Sequence, residues 1–474
     1  MNVTLINPRG KERGSAIAQK CFAPIGLLYL AAYAQRDKHA VRIIDAAAHN
    51  LTDTAIIKKL REARCDIVGI GLFSEIFIPT YALIKRIKAA FPKIILVVGG
   101  PHAHAKGQAL LAECPEIDYL FKAEAEESFS LFCNKLPGGD ISGVPGLLWR
   151  QAAFIRENAA RTNTTSLDDF LLPARELLAR EYEQKKYYIV ITRERPVETI
   201  VTSRGCPFTC RFCSNTTTAY RARSAENVVA EIHSRYKQGI RLFDVSDANF
   251  TFDRERAMRI FELLKKEGLR IRFRFKSRTG SIDRELVASA RQAGTYLISL
   301  GMESGSQNIL DRMAKGTNVK ANIDAGRIVL DAGIKLNTGW IIGFPGETDE
   351  SIRQTISAVT ALKPTTANIN ILVPYPGTAI YEHARQDKTL IGDWNTTASF
   401  IPWIKLPWTR SFADLAQRRE FMRRAVYGKT YYLLNFCKEI VGNMNLTLGR
   451  YMAQEAWLVT KAKLRGIKKP TNSD

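Results

Sequence analysis

The feature that most constrains the fold of this chain is an alternation of short apolar runs with helical patterns, which occurs twice. In the first series, strand-like runs lie at 3–7, 41–45, 67–73, 94–99 and 119–121. Apolar strands separated by helices are typical of a parallel sheet that is covered on both faces. Residues 1–136 are therefore predicted to form a doubly wound, Rossmann-like α/β domain. Its ligands would lie beyond the carboxyl ends of the strands.

The second series is larger and begins near residue 198. Its strand-like runs lie at 199–202, 242–245, 271–276, 296–301, 336–343 and 367–373. Six βα units predict a partial barrel of the TIM type over residues 198–385, with functional groups at the carboxyl ends of its strands. Residues 137–197 carry turn signals and are predicted to form a linker with a small hairpin. Residues 386–474 are predicted to be a basic and mostly helical C-terminal region.

Length, charge and hydropathy set limits on the class of protein. A chain of 474 residues fits two or three domains, and its net charge is +22. No apolar run approaches the length of a spanning helix, and the N-terminus is typical of a first strand rather than an export signal. We therefore expect a cytoplasmic protein. The positive charge fits a solubilising surface, but it also fits contact with nucleic acid, an anionic membrane or an anionic substrate.

Three of the eight cysteines are crowded into the loop that follows the first barrel strand. Cys206, Cys210 and Cys213 have the spacing CxxxCxxC, whereas the other five cysteines are scattered singly. Three soft thiolates so close together favour an iron–sulfur cluster, and they leave one of four irons open to another ligand. A zinc site would need a second cysteine pair or histidines, and the nearest histidine, His233, lies in a helical pattern.

This segment, with Phe212 before the last cysteine, resembles the radical S-adenosylmethionine (SAM) superfamily, and the resemblance extends through the barrel. It implies a [4Fe–4S] cluster whose open iron binds the amino and carboxylate groups of SAM, so that an electron can cleave the S–C5′ bond. The positions that match the SAM-contacting motifs of the family are Phe212, Asp247, Asn249, Arg278, Glu303, Ser304 and Gly343.

Most of residues 1–136 resemble the domain that precedes the barrel in the cobalamin-binding (B12-dependent) subclass of this superfamily. The matching segments are 24–31, 41–45, 66–71 and 97–102. The resemblance implies cobalamin at the strand ends, with contacts from Pro8, Ser74, Gly99, Gly100, His102 and Glu124. The histidine that ligates cobalt in many cobalamin domains has no counterpart after the first strand. An open or otherwise bound lower cobalt face is compatible with that, and so is a domain that binds nothing.

The resemblance implies cobalamin-dependent radical chemistry, and a methyltransferase is the leading hypothesis. SAM would give its methyl group to cobalamin and would also supply the 5′-deoxyadenosyl radical, so that methylcobalamin could methylate an unactivated carbon. Oxidative cyclisation or rearrangement is the alternative, and a tRNA methylthiotransferase or a cobalamin carrier fits the motifs less well. The expected partners are a small-molecule or peptide substrate and an electron donor such as flavodoxin or ferredoxin. Nucleic acid is not expected.

The C-terminal region combines basic and aromatic residues. From residue 401 onward it has fourteen Lys and Arg against five Asp and Glu. Such helices can lie on anionic membranes or contact RNA. More often they cover an open edge of the barrel and keep their arginines in water. Covering the barrel edge is the favoured interpretation, with peripheral membrane contact as the alternative.

Overall fold

The computed structural model describes residues 1–10, 20–152, 154–160, 166–189, 192, 194–214, 219–392 and 402–428. Its N-terminal strands are β1 (Asn2–Asn7), β2 (Lys20–Cys21), β3 (Ala40–Asp45), β4 (Ile67–Gly71), β5 (Ile95–Gly99), β6 (Tyr119–Phe121), β7 (Leu147–Gln151) and β8 (Phe154–Glu157). The helices between them are α1 (Ile25–Arg36), α2 (Asp53–Ala63), α3 (Phe77–Ala90), α4 (Pro101–Lys106), α5 (Gln108–Glu113) and α6 (Glu126–Lys135).

The first sheet has the strand order β3-β1-β4-β5-β6-β7-β8. Its first five strands are parallel, with helices on both faces, as the doubly wound prediction requires. The strand order reverses between β1 and β4, and ligands of such sheets bind in the crevice at this reversal. The segments after β1, β4, β5 and β6 therefore meet at one edge, which we call the ligand edge.

The hairpin predicted for the linker exists, but it extends the first sheet. Strand β7 pairs antiparallel with β6, and β8 pairs antiparallel with β7. Leu147 and Leu148 are completely buried and lie opposite Phe121 and Leu120 of β6, so the hairpin completes the hydrophobic core. The first structural unit consequently continues past residue 136 to Glu157.

A short connection leads to the barrel through α7 (Ala179–Glu183) and β9 (Tyr188–Ile189), and β9 pairs with β2. The barrel strands are β10 (Val197–Ile200), β13 (Leu242–Val245), β14 (Arg272–Ser277), β15 (Thr295–Glu303), β16 (Lys335–Ile342) and β17 (Thr366–Ile371). They form one six-stranded sheet in sequential order, and every neighbouring pair is parallel. The partial barrel is therefore confirmed.

The barrel helices are α8 (Ala225–Lys237), α9 (Arg254–Lys266), α10 (Arg284–Gln292), α11 (Gln307–Arg312), α12 (Val319–Asp331), α13 (Asp349–Leu362) and α14 (Ala379–Gln386). Helices α8, α9, α10, α12 and α13 pack on the outer face of the sheet, where alternate strand residues are apolar. Phe273 and Phe275 of β14, for example, are at most 2% exposed and contact Phe261 of α9. Arg272 and Arg274, which alternate with these phenylalanines, belong to the inner face, because successive strand side chains point to opposite sides.

The remaining elements are β11 (Ser203–Arg204), β12 (Arg221–Ala222), β18 (Leu390–Ile391), β19 (Trp403–Ile404) and α15 (Phe412–Tyr427). Helix α15 covers the free edge of the barrel at β17. The Tyr427 hydroxyl donates to the carbonyl oxygen of Ala367 (2.6 Å) and accepts from its N–H (3.1 Å). This supports the covering interpretation for residues 412–427, and residues 429–474 lie outside the described part of the chain.

No helix among the described residues combines the length and the apolar character that crossing a membrane requires.

A buried ion-pair network joins the connecting segment to the barrel. Arg175 contacts Glu198 of β10 (2.9 Å) and Glu231 of α8 (2.7 Å), while Arg235 contacts the second oxygen of Glu198 (2.7 Å). The Tyr182 hydroxyl also donates to Glu198 (2.5 Å). The carboxylate of Glu198 is 0% exposed, so its charge depends on these partners for compensation.

Candidate active site

The cluster loop, which we define as residues 205–214, follows β11, just beyond the carboxyl end of β10. Strand β11 pairs antiparallel with β12. The start of the loop is fixed by Asp247, which follows β13 and is completely buried. Its carboxylate accepts hydrogen bonds from the Thr202 N–H (2.7 Å), the Thr202 hydroxyl (2.5 Å) and the Ser203 hydroxyl (2.7 Å).

The bonding of Asp247 differs from the expected contact with the methionine amino group of SAM. Three donors from Thr202 and Ser203, which lie directly before the loop, occupy a carboxylate that has no exposed surface. Asp247 therefore acts on the site by holding the loop that carries the cysteines.

The three loop cysteines differ in exposure. Cys210 is buried, whereas Cys206 and Cys213 are partly exposed. Arg278, after β14, donates from Nη1 to the Cys210 sulfur (3.2 Å), and its guanidinium lies 3.7 Å from the centroid of the Phe208 ring. A charge-assisted hydrogen bond of this kind stabilises a thiolate. Arg278 was expected near SAM, and the structure places it directly against a cluster cysteine.

Among the described residues, no three His, Cys, Asp or Glu side chains converge as the ligands of a single metal ion would. Thiolates around a four-iron cluster each bind a different iron, so they do not need to converge on one point. The donor set of Cys206, Cys210 and Cys213 therefore fits a cluster better than a zinc ion.

Asn249 lies beside Arg278 with one polar atom left over. Its Oδ1 accepts the backbone N–H of Arg278 (3.2 Å), and the residue is 2% exposed. Its Nδ2 is buried, and no described residue accepts a hydrogen bond from it. An unsatisfied buried donor is costly, so this atom fits the expected contact with a carboxylate or hydroxyl of SAM.

Glu303 ends β15 in a strained conformation next to a lysine that sequence reasoning missed. Its φ of 63° is in the left-handed region, which is rare for a residue with a side chain. Lys315 donates to its carboxylate (2.7 Å), and the pair is almost completely buried. The Lys315 ammonium also lies 6.0 Å from the centroid of the Phe212 ring, which places the pair beside the cluster loop.

Ser304 and Gly343 complete the predicted SAM-contacting set at the next strand ends. Ser304 is buried, and its hydroxyl lies 3.4 Å from that of Thr355 on α13. Gly343 has a φ of 94°, which favours glycine, and its N–H donates to Glu347 (2.7 Å). The structure thus collects Phe212, Asn249, Arg278, Glu303, Ser304 and Gly343 at the carboxyl ends of neighbouring strands.

Glu347 gives the site a pH-dependent element. Burial raises its pKa from 4.5 to about 7, although the Gly343 N–H and the charge of Arg418 act in the opposite direction. Folding therefore favours the protonated form. The contribution of Glu347 to stability is greatest below its ordinary pKa and is lost as the pH rises towards 7.

We expect Glu347→Gln to be more stable than the unmodified protein, and we expect this difference in the free energy of unfolding to grow by about 2–3 kcal/mol as the pH rises from about 5 to about 8. Glutamine keeps an acceptor for Gly343 and carries no charge to desolvate. Chemical denaturation at a series of pH values measures the difference, and the exposed Glu350→Gln serves as the matched control. A difference in stability between the two proteins that stays constant with pH would contradict the raised pKa of Glu347.

At the ligand edge, the residues predicted to contact cobalamin differ in how accessible their polar atoms are to a ligand. His102 is completely buried, and its two ring nitrogens lie 3.0 Å from the Ser74 hydroxyl and 3.0 Å from the Tyr81 hydroxyl. Burial lowers its pKa to about 4, and its ring stacks on Phe77. His102 therefore presents no nitrogen to a corrin or to cobalt. Its role here is to hold Ser74, which is 8% exposed.

The other small residues of this edge are fixed by the packing of the strands. Gly100 has a φ of 98°, and a Cβ atom there would lie 2.9 Å from the backbone oxygen of Leu72. A Cβ atom at Gly99 would meet Phe121 at an ordinary 3.8 Å, and Pro8 is buried. Close approach of β4 and β5 therefore accounts for Gly100 without a ligand. The cobalamin contacts of Pro8 and Gly99 stay predictions.

Glu124 belongs to an ion-pair cluster between the two domains, which we call the interdomain latch. Arg204, which opens the cluster loop, contacts Glu124 (3.0 Å) and Glu126 (2.6 Å), and Arg221 contacts Glu124 (2.5 Å). The Arg204 guanidinium also lies 4.8 Å from the Phe170 ring centroid. The Glu124 carboxylate is thus occupied by arginines rather than open to a corrin.

We expect Arg204→Met and Glu126→Gln to show a coupling free energy of about 1–3 kcal/mol in a double-mutant cycle. The two groups are mostly buried and hydrogen-bonded to each other. Thermal or denaturant unfolding of the single and double variants measures the coupling. Additive effects would contradict a direct contact in solution. Arg254→Met with Glu285→Gln, an exposed pair, is the control.

A loop with three cysteines lies at the mouth of a partial barrel, and it faces the ligand edge of a doubly wound domain. Together these features indicate an iron–sulfur enzyme that acts with a second bound cofactor. Two domain models match the chain: the radical SAM superfamily over residues 200–359 and the B12 binding domain over residues 16–132. The chain therefore belongs to the radical SAM superfamily and carries a B12-binding domain, and its cofactors are a [4Fe–4S] cluster, SAM and cobalamin.

Full-length similarity is consistent with this assignment. The chain is 30% identical over 412 residues to an uncharacterized methyltransferase of Pyrococcus horikoshii, covering 86% of this chain and 88% of the relative. It is 26% identical over 445 residues to the anaerobic magnesium-protoporphyrin IX monomethyl ester cyclase of Rubrivivax gelatinosus, covering 92% and 78%. The solved structure of the radical SAM methyltransferase TsrM from Kitasatospora setae shares the fold, with a TM-score of 0.75, 16% identity and coverage of 98% and 100%.

Proposed function

We propose that this protein is a cobalamin-dependent radical SAM methyltransferase that transfers a methyl group from SAM to an unactivated carbon of a bound substrate. The observation that carries the proposal is the mutual orientation of the two sheets. Arg204 follows β10 and contacts Glu124 and Glu126 after β6, while Tyr375 follows β17 and donates to Glu75 after β4 (2.8 Å). The carboxyl ends of the barrel strands therefore face the ligand edge.

This arrangement fits chemistry in which two cofactors act on one substrate. When bound, SAM at the cluster supplies the 5′-deoxyadenosyl radical, and the corrinoid serves as methyl carrier. The residues of this chain hold the parts in place: Asp247 and the β11–β12 pair fix the cluster loop, Arg278 stabilises Cys210, and the latch fixes the distance between the loop and the ligand edge.

The stoichiometry of the proposed methyl transfer follows from the balance of atoms and electrons. One SAM loses its methyl group and leaves S-adenosylhomocysteine. A second SAM takes up an electron and the substrate hydrogen and leaves methionine and 5′-deoxyadenosine. Two electrons per methyl transfer must come from outside, and a flavodoxin or ferredoxin is the partner we propose for that step.

The test is a reaction of the reconstituted protein with SAM deuterated in its methyl group, a reductant and fractions of a small-molecule extract of the source organism. We expect a product that carries the deuterated methyl group, with S-adenosylhomocysteine and 5′-deoxyadenosine formed in equal amounts. Substrate consumed with 5′-deoxyadenosine alone, and with no labelled product, would contradict methyl transfer. It would support oxidative cyclisation or rearrangement, the second candidate, which the similarity to the magnesium-protoporphyrin cyclase favours.

A further inference from the structure

The inner face of the barrel sheet is polar, in contrast to its apolar outer face. The strand pairing brings inner-face positions side by side: Lys276 lies opposite Ser299, and Ser299 lies opposite Asn337. Asn337 in turn lies opposite Thr366, and Asn368 is the next inner-face position of β17. We call this row the polar row. It crosses four of the six strands.

Hydrogen bonds join most of the polar row into one ladder. The Asn337 side chain donates to the Ser299 hydroxyl (3.2 Å) and accepts from the Thr366 hydroxyl (2.6 Å) and the Asn368 amide (2.9 Å). These bonds fix the amide orientations, so the row is a preorganised surface rather than a set of mobile side chains. Asn368 is exposed, and it retains hydrogen-bonding capacity for a ligand.

The charges of the inner face do not cancel. Arg272 is paired with Glu194 (2.6 Å), and Arg274 is paired with Asp244 (2.5 Å). Lys276 is exposed, and no described residue accepts a hydrogen bond or an ion pair from its ammonium. The strand therefore leaves one positive charge at the end of the polar row.

The unpaired charge lies deeper in the barrel than the residues assigned to SAM. Lys276 and Ser299 precede Arg278 and Gly301 by two positions on their strands, which corresponds to about 7 Å along the barrel axis. At the level of Gly301, the opposite residue is Gly339, where an added Cβ atom would find no neighbour closer than 4.0 Å. The inner face is therefore open at Gly339, between the mouth of the barrel and the polar row, whereas Glu303 and Lys315 lie directly against Gly301.

We propose that the substrate is a polar molecule with an anionic group, such as a carboxylate or a phosphate, that binds Lys276 and the amides of the polar row. The proposal rests on the methyl-transfer function above and names its substrate class. Binding the anion below the mouth would direct the rest of the molecule towards the cluster and the corrinoid. A wholly apolar substrate would displace water from the ammonium and the amides without giving them partners, which is costly.

The test is a comparison of two aldehydes, pyridoxal 5′-phosphate and the uncharged analogue 5-deoxypyridoxal, on the protein loaded with cluster and cobalamin; neither can close to an internal hemiacetal, so the phosphate group is the relevant difference. The Lys276 amine condenses with either aldehyde to an imine with loss of water, and borohydride supplies the hydride that fixes the label. Peptide mapping then reports the labelling of each lysine. We expect Lys276 to react about 10-fold faster with the phosphate-bearing aldehyde.

Lys266, an exposed lysine on α9, is the internal control, and Lys276→Gln should lose this site while the labelling of Lys266 stays unchanged. Inorganic phosphate in excess should protect Lys276. Equal reactivity of Lys276 towards both aldehydes would overturn the proposal, and so would protection by SAM alone, because the ammonium would then belong to the SAM site. The labelling needs no turnover, so its failure is distinguishable from a failure to form a methylated product.

Discussion

Replacing Cys210 by alanine is expected to abolish reductive SAM cleavage, with a loss of at least about 1000-fold, or ~4 kcal/mol of activation free energy. The cluster supplies the electron for the reaction, and three thiolates are the minimum that holds four irons with one left open for SAM. Cys210 is also the buried member of the three and the acceptor of the Arg278 hydrogen bond.

Two measurements check this prediction. The iron content and the visible absorbance of anaerobically reconstituted protein should both fall, and 5′-deoxyadenosine formation should drop to the level of a reaction without protein. Cys65→Ala is the matched control, because Cys65 is a single, partly exposed cysteine outside the loop. A Cys210→Ala protein that keeps its full iron content would show that Cys210 is not a ligand.

Replacing Arg175 by methionine is expected to destabilise the barrel by about 3–5 kcal/mol. The change leaves Glu198 and Glu231 buried with fewer positive partners, since among the described residues Arg235 still pairs with Glu198 and Arg223 with Glu231. Both carboxylates are at most 1% exposed, so water cannot replace the lost guanidinium.

Denaturant unfolding followed by tryptophan fluorescence and circular dichroism measures the loss. Since the chain has more than one domain, the change in the free energy of unfolding is taken from the unfolding transition that includes the barrel. Arg259→Met, which removes an exposed arginine paired with Glu226 and Glu262, should leave the free energy of unfolding nearly unchanged. A similarly small loss for Arg175→Met would show that the buried network contributes little.

The alternation of apolar runs predicted the fold well because it is a local signal with a strong physical cause. Each parallel strand of the first domain is covered by helices, and each barrel strand buries its outer face under helices, so that the sequence shows the apolar positions over a few residues. The cluster cysteines could be predicted for the same reason, since they are close in sequence. The hairpin of β7 and β8 was expected, but its partner was not, because the pairing of Leu147 with Phe121 has no local signature.

Side-chain roles within the site were harder to predict. The motifs placed Asp247, His102 and Glu124 at the correct strand ends, but they could not show that other side chains already occupy these polar groups. Arg204 and Lys315 had no sequence signal at all. Arg204 is 78 residues from Glu126, and helix α11 lies between Glu303 and Lys315. Basic residues are also frequent in a chain with 69 Lys and Arg, so neither residue stands out in the sequence.

The hydroxyl of Tyr427 has a consequence for assembly. A sheet that stops at six strands has an outer strand whose backbone groups could template the addition of a strand from another molecule. By bonding both the N–H and the carbonyl of Ala367, Tyr427 occupies two of these groups, while α15 shields the strand around them. Helix α15 thus protects this strand from pairing with another molecule, and detachment of α15 would expose an edge prone to aggregation.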